Sequence, residues 1–220
     1  MKSNFDFLDN EFPVLAQFGK RAELYLYSDS NSCLMKLGMI GETVVNLMFT
    51  YDRITLPAEN TAVNRIAVLF REGLLTKDLV DILHALRKVR NKAVHENYAS
   101  VADGKVLLQM AHSLCEWFMQ TYGDWNYKNK PFVLPADFPV EVSTDTGAEQ
   151  EHEKQLSKEA EEKAAASDSV AKEKRRQQAA KAASQRQKTE AETRYIIDQQ
   201  LCQVGWEADT ENLRFSNGTR

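Results

Sequence analysis

Apolar residues recur with the period of an α-helix between residues 79 and 94, and this pattern constrains the fold most. At about 100° per residue, one side of this helix collects Leu79, Ile82, Leu83, Leu86, Val89, Ala93 and Val94. Arg90 falls in the middle of that side. An arginine buried there needs a carboxylate partner, because losing the partner of a buried charge typically costs about 3–5 kcal/mol. Glu42 is the candidate partner.

Helical patterns also fill the rest of the first 140 residues. Pro13 suits the start of the first helix, the second is expected from Cys33 to about Phe49, and the fifth begins near Asp103. Asn60 and Thr61 are expected to cap a third helix, which would turn inward Val63, Ile66, Ala67 and Phe70. Strand-like alternation is absent before residue 130. We therefore predict an all-α fold, an antiparallel bundle of about five helices over residues 1–140.

Composition changes after residue 140. Residues 141–190 are rich in Ala, Glu, Lys and Gln, and no aromatic residue occurs between Phe138 and Tyr195. Good helix formers without an apolar stripe predict a solvated, semi-rigid helical spacer. Its basic cluster contains Lys174, Arg175 and Arg176. These three residues are candidates for a phosphate contact, although such a run is more often a solvated surface.

Charge and cysteine content exclude several protein classes. The net charge of −4 gives no overall nucleic-acid signature. Three isolated cysteines fit a reducing compartment, and neither Cys-x-x-Cys nor His-Glu-x-x-His spacing occurs, so no metal site is expected. The N-terminus lacks signal-peptide character, and no apolar run approaches the length needed to cross a bilayer. We expect a cytoplasmic protein that has no membrane partner.

A short motif identifies the helical region. Arg90-Asn91-Lys92-Ala93-Val94-His95 matches the Arg-Asn-x-x-x-His signature of the HEPN superfamily of small helical bundles. A glycine-bearing helix over residues 31–42 precedes this motif in the sequence. Lys-Pro-Phe-Val-Leu-Pro over 130–135, the charged segment and residues 192–220 follow it. This order resembles the N-terminus of the restriction (R) subunits of type I restriction enzymes, of the EcoKI-like kind. The resemblance covers essentially the whole chain.

The resemblance implies a large parent protein. Type I R subunits carry an endonuclease domain and two motor domains that use ATP and Mg²⁺ to translocate and cleave DNA in anti-phage restriction-modification. They assemble with methyltransferase and specificity subunits. This chain contains no Gly-x-x-x-x-Gly-Lys-Ser/Thr phosphate loop, so no cofactor is expected within it. Residues 191–220 would be the truncated start of an α/β nuclease domain.

Two functions follow from the resemblance. In the first, the chain is a non-catalytic interaction and positioning module of a restriction subunit, which binds a partner subunit or DNA. In the alternative, it is a metal-independent HEPN ribonuclease that uses Arg90, Asn91 and His95, with His95 as the acid or base and Arg90 stabilising phosphate charge. A regular helix separates Arg90 from His95 by about 140°, and it places Asn91 and His95 on a polar stripe with His84 and Lys88. That separation favours the non-catalytic module.

Overall fold

A computed structural model describes residues 3–137, 146–167, 172–186 and 188–206, and no strand occurs among them. The chain divides into two compact units, Met1–Arg186 and Gln187–Arg220. The first unit begins with a 3-10 turn at Asp6–Leu8, and its helices are α1 (Pro13–Ser28), α2 (Ser30–Tyr51), α3 (Ala62–Arg71), α4 (Lys77–Glu96), α5 (Val101–Tyr122), α6 (Thr146–Ala165) and α7 (Lys172–Gln185). The predicted all-α class is confirmed.

Local capping signals set the helix ends. The Asp29 carboxylate accepts a hydrogen bond from the Ser32 amide at 3.1 Å, so α2 begins at Ser30, three residues earlier than predicted. Thr61 caps α3 as expected. Ser100 caps α5 by accepting from the Asp103 amide, which moves the start of α5 to Val101. One or a few residues between helices force neighbouring helices to fold back on each other.

Helix α2 lies at the centre of the bundle and packs against α1, α4 and α5. Its 22 residues are long and apolar enough to cross a membrane by length and composition, so the prediction that no apolar run reaches that length is wrong for α2. However, 61% of its apolar window is buried inside the protein. Burial among neighbouring helices explains the apolar character of a central core helix.

Helix α3 buries only some of the apolar residues that were predicted to face the core. Ile66 and Leu69 are buried, whereas Val63 and Phe70 are 43% and 47% exposed and Ala67 is exposed. The prediction that Val63, Ala67 and Phe70 point inward is therefore wrong. A ten-residue helix with apolar residues on two sides gives no periodic signal to decide which side is buried.

The described parts of the charged segment are mainly helical, as predicted, but they are not solvated on all sides. Helix α6 packs against α1 and α2, and α7 packs against α5. Ala164, Ala179 and Ala182 are at most 2% exposed. Alanine allows two helices to approach closely without a stripe of large apolar residues. The absence of such a stripe therefore did not mean that these helices were solvated. The division of the chain at residues 140 and 190 stays a prediction.

The second unit contains α8 (Glu190–Gln203). Thr189 caps this helix by accepting a hydrogen bond from the Glu192 amide at 3.1 Å. Residues 207–220, where the start of an α/β nuclease domain would place its first strand, lie outside the described residues.

Candidate functional site

Arg90 lies at the contact between α4 and α2. Its Nη1 atom is 2.9 Å from Glu42 Oε2, so the structure places the two predicted partners together. The side chains are 38% and 48% exposed, however, and the prediction that Arg90 is buried is wrong. Its aliphatic stem packs against Gly38, where an added Cβ would overlap the Arg90 side chain. A long side chain can cover a neighbouring helix with its stem while its charged end stays in water.

The other two motif residues face solvent. Asn91 and His95 are both exposed near the end of α4. The end itself is held by Asn31, whose Nδ2 donates hydrogen bonds to the Ala93 and Tyr98 carbonyls at 2.9 and 2.8 Å. Asn31 was missed as a site residue because its sequence context predicts only a turn and a helix cap. The structure thus separates the environments of Arg90 and His95, in agreement with their helical spacing.

A buried ion pair fixes α7 to the bundle. Arg175 Nη1 lies 2.9 Å from Asp52 Oδ1, and the two side chains are 6% and 0% exposed. The Tyr122 hydroxyl donates to the other Asp52 oxygen at 2.7 Å. The guanidinium also lies over the Tyr51 and Tyr122 rings, at 5.5 and 5.7 Å. Burial, with the neighbouring Asp52 charge, raises the pKa of Tyr122 well above its usual value, so the phenol stays a hydrogen-bond donor.

Two residues of the predicted phosphate-contact cluster form ion pairs with carboxylates of the bundle. Arg175 is buried, and Arg176 pairs with Glu72 at 3.0 Å. Only Lys174 of the three is exposed. Further along α7, the Trp117 Nε1 donates to the Ala179 carbonyl at 3.1 Å. The phosphate contact stays a prediction, and this conformation leaves Lys174 as its accessible member.

Metal ligands and cysteine thiols are two further kinds of candidate site residue. Among the described residues, no group of three or more His, Cys, Asp or Glu side chains is arranged to hold a metal ion. Cys33 and Cys115 are buried as small apolar groups, and burial raises the pKa of Cys33 to about 12. A thiol with such a pKa is a poor nucleophile.

His112 is the most buried histidine of the described residues. It lies edge-on to Phe5 and Phe7, and burial lowers its pKa from 6.5 to about 4. Its Nδ1 atom is 3.8 Å from Glu116 Oε2, and burial raises the pKa of Glu116. These shifts are opposite to those that a charged pair would give, and Glu116 Oε1 instead accepts hydrogen bonds from the Lys130 amide at 2.6 Å and the Tyr127 hydroxyl at 3.2 Å.

His112 also lines a groove of about 960 Å³ beside the N-terminal turn. The extended segment after α5 forms one wall, and Asn4 holds it by exchanging two hydrogen bonds with the Val133 backbone, at 2.8 and 2.9 Å. Within the groove Lys20 pairs with Asp6 at 3.0 Å, and the Glu23 carboxylate accepts hydrogen bonds from Ser3 and Asn4. The segment is also held to α1, because the Tyr27 hydroxyl donates a hydrogen bond to the Pro135 carbonyl at 2.9 Å.

Comparison with known proteins places this helical bundle in a family. Residues 20–166 match the family model described as a domain of unknown function, DUF4145. The chain belongs to the DUF4145 family. The match includes α2 to α6 and ends before α7, so the packing of α6 on the bundle falls within the family domain.

One relative is similar to the chain over its whole length. Over an alignment of 271 residues, the chain is 29% identical to the type I restriction enzyme EcoKI endonuclease subunit of Escherichia coli strain K12. The alignment covers the whole of this chain but only 23% of that subunit, so the chain spans about a quarter of its relative's length. No solved structure matches the chain.

Proposed function

We propose that this chain is the N-terminal helical module of a type I restriction endonuclease subunit. In this proposal it acts in restriction-modification by binding other subunits and positioning the parts of the protein that follow it. The similarity of the whole chain to a subunit with that printed name supports the proposal. ATP-dependent DNA translocation and cleavage, with ATP and Mg²⁺, would be carried by parts outside this chain. A HEPN-like relationship of the bundle and a cytoplasmic location belong to the same proposal.

The observation that carries a binding role is the apolar side of α3. Val63, Ala67 and Phe70 are three or four residues apart, so they share one side of the helix, and all three are exposed. Leu56, in the loop before α3, is 52% exposed. Exposed apolar patches on soluble domains mark sites of interaction with other proteins. The partners proposed for this surface are the methyltransferase and specificity subunits, and DNA would be reached through their assembly.

This role is tested by measuring association with a purified methyltransferase–specificity complex from the same source. We expect the 220-residue chain to bind, and Phe70→Asp to weaken binding at least tenfold, because truncating a central aromatic residue of an interface typically costs about 2 kcal/mol or more. Val133→Asp is the matched control, since Val133 is 68% exposed on a different segment. Absence of binding by the unchanged chain, or equal weakening by both variants, would contradict the proposal.

The alternative is a metal-independent ribonuclease. The exposure of Asn91 and His95 favours it, because both side chains are open to a substrate or to a second protomer. The pairing of Arg90 with Glu42 opposes it, because the guanidinium already has a carboxylate partner. RNA cleavage by the purified chain that is lost in both Arg90→Ala and His95→Ala would establish the ribonuclease in place of the non-catalytic module.

A further inference from the structure

Helix α4 carries a concentration of positive charge that the ion pairs do not neutralise. Between Asp81 and Glu96 it contains four basic residues, Arg87, Lys88, Arg90 and Lys92, and no acidic one. Glu42 neutralises Arg90 at 2.9 Å. Among the described residues, no carboxylate forms an ion pair with Arg87, Lys88 or Lys92. We call His84, Arg87, Lys88 and Lys92 the α4 basic stripe.

The spacing along the helix explains why Arg87 and Lys88 stay unpaired, whereas Lys92 has Glu96 four residues further on but forms no ion pair with it. Ion pairs on a helix form between residues three or four apart. At those distances Arg87 meets Leu83, His84, Arg90 and Asn91, and Lys88 meets His84, Ala85, Asn91 and Lys92. None of these neighbours is acidic. Elsewhere on the same helix the usual pairing occurs, as between Lys77 and Asp81 at 2.5 Å.

Two nitrogen atoms in the stripe also have no partner. The Arg87 Nε and the His84 Nδ1 are buried and form no hydrogen bond with any described residue. Buried polar nitrogen atoms are normally hydrogen-bonded, and one that is not costs free energy. Arg87 therefore has no acceptor within the described residues, and its guanidinium is not committed to an internal partner.

The basic groups also disfavour each other's charged forms. Burial lowers the pKa of His84, and the charges of Arg87 and Lys88 lower it further, against the opposing effect of Asp81. Burial likewise lowers the pKa of Lys88, with Arg87 and Lys92 acting in the same direction and Asp81 opposing. A bound anion would relieve this repulsion.

We propose that the α4 basic stripe binds the phosphate backbone of duplex DNA. From His84 to Lys92 the helix rises about 12 Å, which corresponds to three or four successive phosphates at about 3.4 Å of axis per strand. An elongated row of cations suits a polymer of phosphates better than a single anion. The choice of DNA over other polyanions rests on the proposed function in restriction-modification. The stripe is distinct from the Lys174–Arg176 cluster, two of whose members are already paired with carboxylates of this chain.

The test is fluorescence anisotropy of a labelled 30-base-pair duplex with the whole 220-residue chain, between 50 and 200 mM salt. Non-specific binding with a Kd of about 10⁻⁴–10⁻⁶ M at physiological salt is expected. The double variant Arg87→Gln/Lys88→Gln should bind at least tenfold more weakly, and its slope of log K against log salt should be smaller by about 1.8. If that variant does not fold, Lys88→Gln/Lys92→Gln replaces it with the same expectation.

The control is Lys154→Gln/Lys158→Gln on α6, which removes the same charge from side chains that are 75% and 72% exposed. The control should keep wild-type affinity within about twofold, since a merely general charge effect would weaken both variants equally. Equal weakening, absence of duplex binding by the unchanged chain, or tenfold tighter binding of an RNA of equal length would overturn the proposal. None of these results bears on the association of α3 with partner subunits, which is tested by the separate binding experiment with Phe70→Asp.

Discussion

Arg175 on α7 and Asp52 after α2 form an ion pair of 2.9 Å in a site where their side chains are 6% and 0% exposed. Two charges removed from water stabilise a fold only if further hydrogen bonds satisfy them. Here the Tyr122 hydroxyl binds Asp52 at 2.7 Å, and two tyrosine rings lie against the guanidinium. The pair therefore fixes the first turn of α7 to the bundle.

Replacing Arg175 should release α7. Arg175→Ala leaves the Asp52 carboxylate buried and without its cation, and this typically costs about 3–5 kcal/mol. Urea unfolding at neutral pH measures the change in the free energy of unfolding, and limited trypsin digestion reports cleavage at Lys174 and Lys181 on α7.

The neighbouring Arg176→Ala is the control for that variant. Its ion pair with Glu72 is 36% and 38% exposed, so the expected cost is at most about 1 kcal/mol. Similar losses for the two variants would show that the buried pair is not what holds α7.

Glu42→Gln should have a small effect. Because Glu42 and Arg90 are 48% and 38% exposed, their ion pair is expected to contribute about 0–1 kcal/mol, and less at high salt. Thermal or urea unfolding in low and high salt measures this contribution. A loss above about 2 kcal/mol would mean that Arg90 behaves as a buried charge after all.

The two glycines of α2 should respond differently to alanine. A Cβ at Gly38 would overlap the Cβ of Arg90, which cannot move without its backbone, so Gly38→Ala should destabilise the protein by about 1–3 kcal/mol. At Gly41 the nearest atoms, on Leu86, lie at 3.4 Å, and alanine should gain about 0.5–1 kcal/mol of helix propensity. Urea unfolding of both variants tests the contrast, and equal effects would contradict the close approach of α4 at Gly38.

His112 should make the protein less stable in acid. Its pKa falls from 6.5 to about 4 on folding, so below pH 6.5 the unfolded chain takes up a proton that the folded chain does not. Stability attributable to His112 should thus decrease as the pH drops from 6.5 to about 4, by about 3 kcal/mol in total. The raised pKa of Glu116 acts in the opposite direction, since it disfavours the folded state as the pH rises above 4.5.

The variant His112→Phe keeps an aromatic ring beside Phe5 and Phe7 and removes the titrating group. Between pH 7 and pH 4 it should lose about 3 kcal/mol less stability than the unchanged chain. The free energy of unfolding, measured by urea titration at both pH values, checks this. An unchanged pH dependence would show that His112 is not the group responsible.

The sequence predicts the five-helix bundle well because its signals are local. Pro13, Thr61 and Gly73 mark helix ends through backbone geometry and capping, and the apolar side of α4 is buried from Leu79 to Ala93. Val94 is the exception, at 52% exposed, because it lies at the edge of that side near the helix end.

The contacts of α6 and α7 could not be predicted in the same way. Arg175 meets Asp52, and Lys36 meets Glu153 at 2.5 Å, across more than 100 residues. A helical period reveals which residues share a side, but it does not reveal which distant helix an arginine or an alanine will touch. The same limit explains why α3 was assigned the wrong buried side, and why Arg90 was expected in the core when its stem alone packs on Gly38.

Amide hydrogen exchange of the chain, alone and bound to the methyltransferase–specificity complex, tests the binding role most directly. The proposal predicts slower exchange across α3, Ala62–Arg71, in the complex, with no change on the exposed side of α6. Unchanged exchange in α3 when the complex has formed would contradict it.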